Sequence, residues 1–166
     1  MNRTTLELRG DREIVIERTF EGPPQIVFDA WTRPELVARW WAPASRGVSI
    51  VGCDADVRVG GRYRYHLRHA RGDVAFSGEY LEVEPPSRLV YTQVLEPTAS
   101  GPDPGAAAIT ITVTFAERDG RTHLVSHTHC PTPQVRDSII ASGMESGMRE
   151  TMDLLESLVE SQVSAR

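Results

Sequence analysis

Two histidines and a cysteine in the run HTHC at positions 127–130 are the side chains best suited to metal chemistry. Histidines spaced i, i+2 on a strand share one face, so together they can supply half of a zinc site. In the predicted register Cys130 points the other way, and the residues opposite the histidines are Thr110 and Thr112, which are poor ligands. We therefore predict that His127 and His129 are polar residues of an outer face, and we predict no metal site and no cofactor.

Other pairs of reactive residues give weaker indications of chemistry. His66 and His69 are three apart, so they cannot share a face in a regular strand. Asp54 and Asp56 are two apart and could act as a carboxylate pair, but Asp56 leads into a Gly-Gly turn and is predicted to hydrogen-bond that turn. Neither cysteine of the chain has a histidine and an acid at a spacing that would activate it. No catalytic residue is predicted.

The charges of the chain exclude further classes of function. All 18 basic residues among the 166 are arginine, so Schiff-base, lysine-base and P-loop lysine chemistry are excluded. The net charge of −5 argues against a nucleic-acid partner. Residues 58–71 contain five arginines and two histidines, but the arginines alternate with tyrosines, as expected for a solvated strand face.

Length and hydropathy set the expected organisation. Residues 1–166 are predicted to form one domain with its core at about 13–160, and two cysteines are too few for a disulfide scaffold. No apolar run is long enough to span a membrane and the N-terminus lacks a signal sequence, so a soluble cytoplasmic protein is expected. The Pro/Gly/Ala segment at about 97–108 is expected to be a mobile flap or an insertion. A homodimer stays an open alternative.

Alternating and helical patterns predict the elements. A first strand begins at Glu13, a short helix covers Gln25–Trp31, and Thr32 with Glu35 resembles a capping box that starts a second helix, PELVARWW. One long C-terminal helix follows Thr132-Pro133. Six strands lie between, with the sequences VSIVGCDADV, RYRYHLR, VAFSGEYLEVE, RLVYTQVLE, ITITVTFAE and THLVSHTHC.

Tight turns predict which residues face each other across the strands. A hairpin centred on Asp119-Gly120 pairs Phe115 with Leu124, Val113 with Ser126 and Ile111 with Thr128. A loop at 70–73 would place Tyr63 opposite Tyr80, Tyr65 opposite Gly78, Leu67 opposite Phe76 and Arg64 opposite Glu79. The turn at 84–87 would place Tyr91 beside Tyr80 and Gln93 beside Gly78. One sheet face then carries all four tyrosines and many of the large apolar residues, under a helix with methionines and glycines. This composition fits either a small-molecule cavity or a dry core.

The order of these elements resembles the helix-grip fold of the START-like (SRPBCC) superfamily. The stretches that carry the resemblance are IVIERTFEGPPQIVFDAWTRPELVARWWAP, DVRVGGRYRYHL, FSGEYLEVEPPSRLVYT, ITITVTF with DGRTHL, and ASGMESGMRETMDLL. They are similar to the bacterial branch named after the activator of the heat-shock chaperone ATPase. The resemblance implies an α+β fold in which a curved antiparallel sheet of about six to seven strands grips a long C-terminal helix.

The resemblance also implies a ligand cavity between the sheet and that helix. We predict that it binds a small hydrophobic or aromatic molecule, with one of the two adjacent tryptophans lining the cavity and the other anchoring the second helix. The predicted lining residues are Trp40, Trp41, Tyr63, Tyr65, Phe76, Tyr80, Tyr91, Gln93, Ile111, Val113, Phe115, Ser126, Thr128, Met144 and Met148. An enzyme of cyclase or hydrolase type, and a protein that activates a chaperone ATPase, are the alternatives.

Overall fold

A computed structural model describes residues 4–42, 45, 47–70, 72–96 and 107–165. Within these residues the strands are β1 (Thr5–Arg9), β2 (Glu13–Phe20), β3 (Ser49–Ala55), β4 (Arg62–His69), β5 (Gly72–Glu84), β6 (Arg88–Glu96), β7 (Ile109–Arg118) and β8 (Arg121–His129). The helices are α1 (Pro24–Thr32), α2 (Pro34–Val37), α3 (Pro133–Ala141) and α4 (Met144–Ser164). The segment predicted to be a loop, 97–108, lies almost entirely outside the described residues.

The strands form one antiparallel sheet in the order β1-β2-β8-β7-β6-β5-β4-β3. Its inner face packs against α1 and α4, as a helix-grip fold requires, so the predicted fold class is confirmed. The sheet has one strand more than expected, because β1 pairs with β2 from Thr5 opposite Glu17 to Arg9 opposite Glu13. This strand is only five residues long and four of them are exposed, so it has little apolar pattern.

Two helices differ from their predicted forms. The prediction that Thr32 caps the start of the second helix is wrong. Thr32 is the last residue of α1, and its hydroxyl donates to the Phe28 carbonyl oxygen at 2.8 Å. Arg33, extended as residues before proline prefer, separates α1 from α2. The second helix then ends after four residues, so Trp40 and Trp41 lie in the turns that follow it.

The C-terminal helix is also interrupted. Thr132 caps it as predicted, since its hydroxyl oxygen accepts from the Val135 amide at 3.2 Å. The prediction of one long helix is wrong, however, because Gly143 adopts a φ of 82° and separates α3 from α4. A left-handed residue breaks the helical hydrogen-bond ladder, and glycine does so without steric cost.

Hairpin registers explain how the tyrosines reach one face. The three predicted pairs between β7 and β8 are confirmed, as is Tyr80 opposite Tyr91. The β4–β5 register is wrong by two residues: Tyr63 faces Gly78 and Tyr65 faces Phe76. The hairpin closes more tightly than predicted, with His69 opposite Gly72. Because a shift of two residues preserves the side-chain alternation, every residue keeps its predicted face.

The corrected register also changes the ion pair predicted for Arg64. Arg62, rather than Arg64, faces Glu79, at 3.8 Å. Arg64 instead contacts Glu96 on β6 at 3.3 Å, and the Glu96 side chain is only 4 % exposed. Burial raises the pKa of Glu96, but hydrogen bonds from Ser77 and Arg64 outweigh burial and hold the pKa below its usual value.

A variant of Glu96 should therefore show a pH-dependent loss of stability. A folded-state pKa below 4.5 means that the carboxylate stabilises the fold above that pH, and that this contribution is lost as the pH falls below it. Glu96→Gln should lower the free energy of unfolding by about 1 kcal/mol at neutral pH. Urea unfolding of both proteins from neutral to acidic pH should show the gap closing as the pH falls below 4.5 and through the lowered pKa of the folded-state carboxylate. A gap that does not change with pH would contradict this assignment.

Candidate functional site

Four tyrosines on three neighbouring strands form a cluster on the inner face of the sheet. Tyr63 and Tyr65 come from β4, Tyr80 from β5 and Tyr91 from β6, and each is less than 10 % exposed. The ring centroid of Tyr63 lies 5.0 Å from that of Tyr65 and 5.5 Å from those of Tyr80 and Tyr91. We call these four residues the tyrosine cluster. Alternation along each strand brings all four phenols to one place.

A cavity of about 10 Å³ lies against the tyrosine cluster. Its remaining walls are Trp31 of α1, Trp41 after α2 and Leu89 of β6. That volume has room for one water molecule or one ligand oxygen atom, and not for an aromatic ring.

Hydrogen bonds fix the orientation of the phenol groups. The Tyr63 hydroxyl donates to the Thr92 carbonyl oxygen at 2.7 Å and lies 3.3 Å from Oε1 of Gln93. The indole N–H of Trp31 donates to the Tyr91 hydroxyl oxygen at 3.3 Å. The Tyr65 phenol lies on the same cavity wall as Tyr80 and lowers the Tyr80 pKa. The phenols therefore have defined positions, as a recognition site requires.

Burial keeps all four phenols protonated at neutral pH. It raises the pKa of Tyr80 to about 12, against the smaller opposing effect of the hydrogen bond from Tyr65. It raises the pKa values of Tyr63, Tyr65 and Tyr91 further. Among the described residues, the cavity wall carries no charged side chain. The site thus offers neutral O–H donors in an apolar surrounding.

The two adjacent tryptophans occupy different environments. Trp40 is 2 % exposed, and its indole N–H donates to the Ala30 carbonyl oxygen at 2.8 Å, so it holds the segment after α2 against α1. Trp41 is half-buried, and its ring makes edge contacts with Tyr65 and Phe76 at 5.0 Å each. The other residues that line the cavity are each at most 8 % exposed, so Trp41 is the most exposed part of its wall.

The family described as Activator of Hsp90 ATPase homolog 1-like protein matches residues 21–160. The chain belongs to this family. The match extends from the start of α1 almost to the end of α4, and it confirms the resemblance found in the sequence. The site above is therefore built on the helix-grip scaffold of the Activator of Hsp90 ATPase homolog 1-like family.

Solved structures of bacterial proteins share this fold. A Rhodobacter sphaeroides protein is 22% identical, with a TM-score of 0.83, over 96% of this chain and 99% of the other. A Staphylococcus epidermidis protein is 30% identical, with a TM-score of 0.80, over 95% of this chain and 94% of the other. An AHSA1-like protein from Aeromonas hydrophila is 25% identical, with a TM-score of 0.66, over 90% and 93% of the two chains. The comparison with curated proteins found no match.

Only some of the residues predicted to line a cavity lie around the one observed. Five of them, Trp41 and the tyrosine cluster, form its wall. Phe76 contacts Trp41, and Gln93 lies beside the Tyr63 hydroxyl. The wall does not include the other predicted residues, namely Trp40, Ile111, Val113, Phe115, Ser126, Thr128, Met144 and Met148. Most of these are buried elsewhere on the inner face, whereas Met144 and Met148 are half-buried on α4.

Trp31 and Leu89 line the cavity but were absent from the predicted set. Leu89 could have been found from the sequence, because it lies two residues before Tyr91 on the same strand and therefore shares its face. Trp31 belongs to the buried side of α1 with Val27 and Phe28, but nothing in the sequence indicates that α1 reaches the tyrosine cluster.

The histidines considered as metal ligands are paired with carboxylates on the outer face. His127 Nε2 lies 2.5 Å from a Glu13 carboxylate oxygen, and His129 Nδ1 lies 3.8 Å from the same oxygen. His123 Nε2 lies 3.1 Å from Glu17. Throughout the described part of the chain, no group of three or more potential ligands is arranged to hold a metal ion.

The structure places three further reactive residues considered in the sequence, namely Asp56, Cys53 and Cys130. The Asp56 carboxylate accepts from Arg58 Nε at 2.8 Å, beside the turn that leads into β4. Burial, together with the nearby carboxylates of Asp54 and Glu35, raises the pKa of the Cys53 thiol to about 11. Burial also raises the pKa of Cys130. Both thiols are therefore protonated and weakly nucleophilic at neutral pH.

A buried charge on the inner face was not predicted. The Arg18 side chain on β2 is 5 % exposed, and it donates to Asp153 at 2.7 Å and to Thr4 Oγ1 at 3.0 Å. Glu156 of α4 lies 3.8 Å from it and is itself only 10 % exposed. Two strands, β8 and β7, separate β2 from the strands that carry the tyrosine cluster. This pair therefore belongs to the packing of α4 rather than to the cavity.

Exposed apolar residues bear on the alternative of a partner protein. The exposed large apolar side chains of the described residues are Leu8, Val51, Val59, Leu81, Leu95 and Val163. Each belongs to a different strand, helix or loop.

No helix in the described residues is long and apolar enough to cross a membrane.

Proposed function

We propose that the protein binds a small, neutral aromatic molecule at the tyrosine cluster, and that the Trp41 ring moves aside to admit it. One observation carries this proposal: six aromatic side chains surround a cavity, and only Trp41 among them is partly exposed. Family membership supports a pocket on the inner face of the sheet. This cavity lies between the sheet, α1 and the segment after α2, with no residue of α4 on its wall, and its lining favours an aromatic, uncharged ligand.

The size of the cavity explains why a side chain must move. A ligand the size of benzene occupies a cavity of about 150 Å³, far more than the space present. Displacement of an indole ring would release a space that fits a flat, bicyclic molecule. The movement would break the edge contacts of the Trp41 ring with Tyr65 and Phe76, each worth about 0.5–1.5 kcal/mol. Burial of ligand surface at about 25 cal/mol per Å² can exceed that cost.

The inner face beside Trp41 also offers a route from solvent. Phe76 on β5 faces Leu95 on β6 in the sheet register. Leu95 is 47% exposed, and Phe76 and Gln93 are half-buried. This end of the inner face is therefore accessible to solvent. A molecule entering there would meet Trp41 before it meets the tyrosines.

A titration with indane, a benzene ring fused to a saturated five-membered ring, tests the proposal. Saturable changes are expected in the indole N–H NMR signals of Trp31 and Trp41, which line the cavity. The Trp40 signal is the internal control, since its N–H is bonded to Ala30 away from the cavity. Trp41→Ala should raise the affinity for indane about tenfold because no ring has to be displaced, and Trp41→Phe should give an intermediate value.

The opposite results would reject the proposal. Absence of saturable binding up to the solubility limit of indane, in both the wild type and Trp41→Ala, would show that the cluster is a packed core. Binding that leaves the Trp31 signal unchanged would place the ligand elsewhere.

A further inference from the structure

The phenol protons of the tyrosine cluster are not all used within the protein. Tyr63 donates its proton to the Thr92 carbonyl oxygen. The Tyr65 phenol lowers the pKa of Tyr80 from close by, and any bond between the two uses at most one of their two protons. Tyr91 is the acceptor in its bond with Trp31. Among the described residues, the Tyr91 proton and one proton of the Tyr65–Tyr80 pair therefore have no protein acceptor.

Both of these unused donors belong to groups on the wall of the same small cavity. Tyr80 and Tyr91 are register partners on adjacent strands, with ring centroids 6.1 Å apart. Tyr65 and Tyr80 both line the cavity, so whichever of them keeps its proton can donate there. The space of about 10 Å³ fits a single oxygen atom.

We infer that this cavity recognises the carbonyl oxygen of a neutral aromatic ketone through the hydroxyl of Tyr91 and that of Tyr80 or Tyr65. The inference rests on the proposed function, because the aromatic ring of the ketone would take the place of Trp41. A carbonyl oxygen accepts two hydrogen bonds and donates none, which matches two unused donors.

Other oxygen groups fit this arrangement less well. An alcohol must also place its own proton, and because the Tyr91 oxygen already accepts from Trp31, only a phenol oxygen of Tyr65 or Tyr80 remains for it. A carboxylate would bring a charge to a wall that carries no cation, and the burial of an unpaired charge is costly. A hydrocarbon would leave both donors without a partner. The expected order of affinity is therefore ketone, alcohol, hydrocarbon, with the carboxylate weakest.

Three probes with the same ring system test this inference: indanone, indanol and indane. Each hydrogen bond to a buried donor should favour the ketone, so indanone is expected to bind the wild type about ten- to a hundredfold more tightly than indane. The infrared carbonyl band of bound indanone should lie at lower frequency than that of indanone in cyclohexane, because the bound oxygen accepts hydrogen bonds.

Two tyrosine variants separate oxygen recognition from packing. Tyr91→Phe should lower the ratio of indanone to indane affinity by about tenfold and reverse part of the carbonyl shift. Tyr63→Phe is the matched control: it removes a phenol from the same wall, but one whose proton is already bonded, so the affinity ratio should stay at its wild-type value. If loss of the Trp31 partner prevents Tyr91→Phe from folding, the double variant Tyr65→Phe/Tyr80→Phe gives a second test, because it removes every hydroxyl that could supply the other donor.

The outcomes distinguish this inference from the function on which it rests. If all three probes bind equally, or if Tyr63→Phe changes the ratio as much as Tyr91→Phe does, the oxygen site is wrong while the aromatic site stands. If the carbonyl band of bound indanone lies at its frequency in cyclohexane, the oxygen site is likewise wrong. If none of the probes binds, the proposed function fails, and the oxygen site fails with it.

Discussion

Replacement of Arg18 by methionine is expected to lower the free energy of unfolding by about 3–5 kcal/mol. The Arg18 side chain is 5 % exposed, and it contacts Glu156, which is 10 % exposed. The substitution would take the guanidinium cation away from the buried Glu156 carboxylate. The loss of one partner of a buried pair is far more damaging than the loss of a surface pair, because the desolvation cost of the remaining charge is no longer offset by its cation.

Two companion variants make the cause of this loss measurable. Arg18→Met with Glu156→Met should recover much of the stability, because an apolar pair of similar size removes both charges together. Asp153→Asn should cost at most about 1 kcal/mol, since Asp153 is 74% exposed although its carboxylate lies only 2.7 Å from Arg18. Urea unfolding of the four proteins at neutral pH gives the comparison. A double variant as unstable as Arg18→Met alone would contradict this explanation.

The pattern of β2 already contained the signal for this buried arginine. In EIVIERTF, Arg18 shares its strand face with Ile14, Ile16 and Phe20, all of which are buried. Its partner could not be predicted, because Asp153 is 135 residues away along the chain and no local pattern relates the two. The alternation of side chains along β2 predicts that position 18 is buried. The residues that compensate the charge of Arg18 become known only from the packing of α4 on the sheet.

Turns and helix ends could be predicted only where the sequence carries a local signal for them. The Asp119-Gly120 signal set the β7–β8 register correctly, because a two-residue turn leaves a single way to pair the strands. The loop after β4 carries no such signal, and its predicted register was wrong by two residues. At Gly143 the apolar spacing continues across the break, so the periodicity gave no warning that α3 and α4 are separate helices.

The sequence predicted the shared face of the tyrosines but not the size of the cavity beside them. Alternation placed the tyrosines on one face, since each side chain depends only on its position in its own strand. The volume beside them depends on Trp41, whose position follows from the end of α2 at Val37 and from the backbone bond of the Trp41 amide to Val37 at 3.0 Å. No sequence pattern specified that ending, so the sequence left a ligand-sized cavity and a dry core as alternatives, and the space beside the tyrosines is close to the second.

Gly78→Ala is expected to destabilise the fold by about 3 kcal/mol, because the close approach of β5 and β6 leaves no room for a side chain. A Cβ atom at position 78 would lie 1.8 Å from the Thr92 carbonyl oxygen and 2.9 Å from Cε1 of Tyr63. The backbone of one strand must shift to relieve the first contact. The Thr92 carbonyl oxygen also accepts from the Tyr63 hydroxyl, so the shift would disturb the tyrosine cluster.

Gly52→Ala provides the matched control for Gly78→Ala within the same sheet. Gly52 lies on the edge strand β3, where a small displacement of the backbone meets little resistance. A Cβ atom at this position would lie 3.3 Å from Cβ of His66. The melting temperature of Gly78→Ala should fall by about 6–12 °C, and that of Gly52→Ala by less than about 3 °C. Near-ultraviolet circular dichroism should show a changed tyrosine signal in Gly78→Ala alone. Equal melting temperatures for the two variants would mean that β5 and β6 can separate freely, and the fixed phenol positions required for ligand recognition would then lose their support.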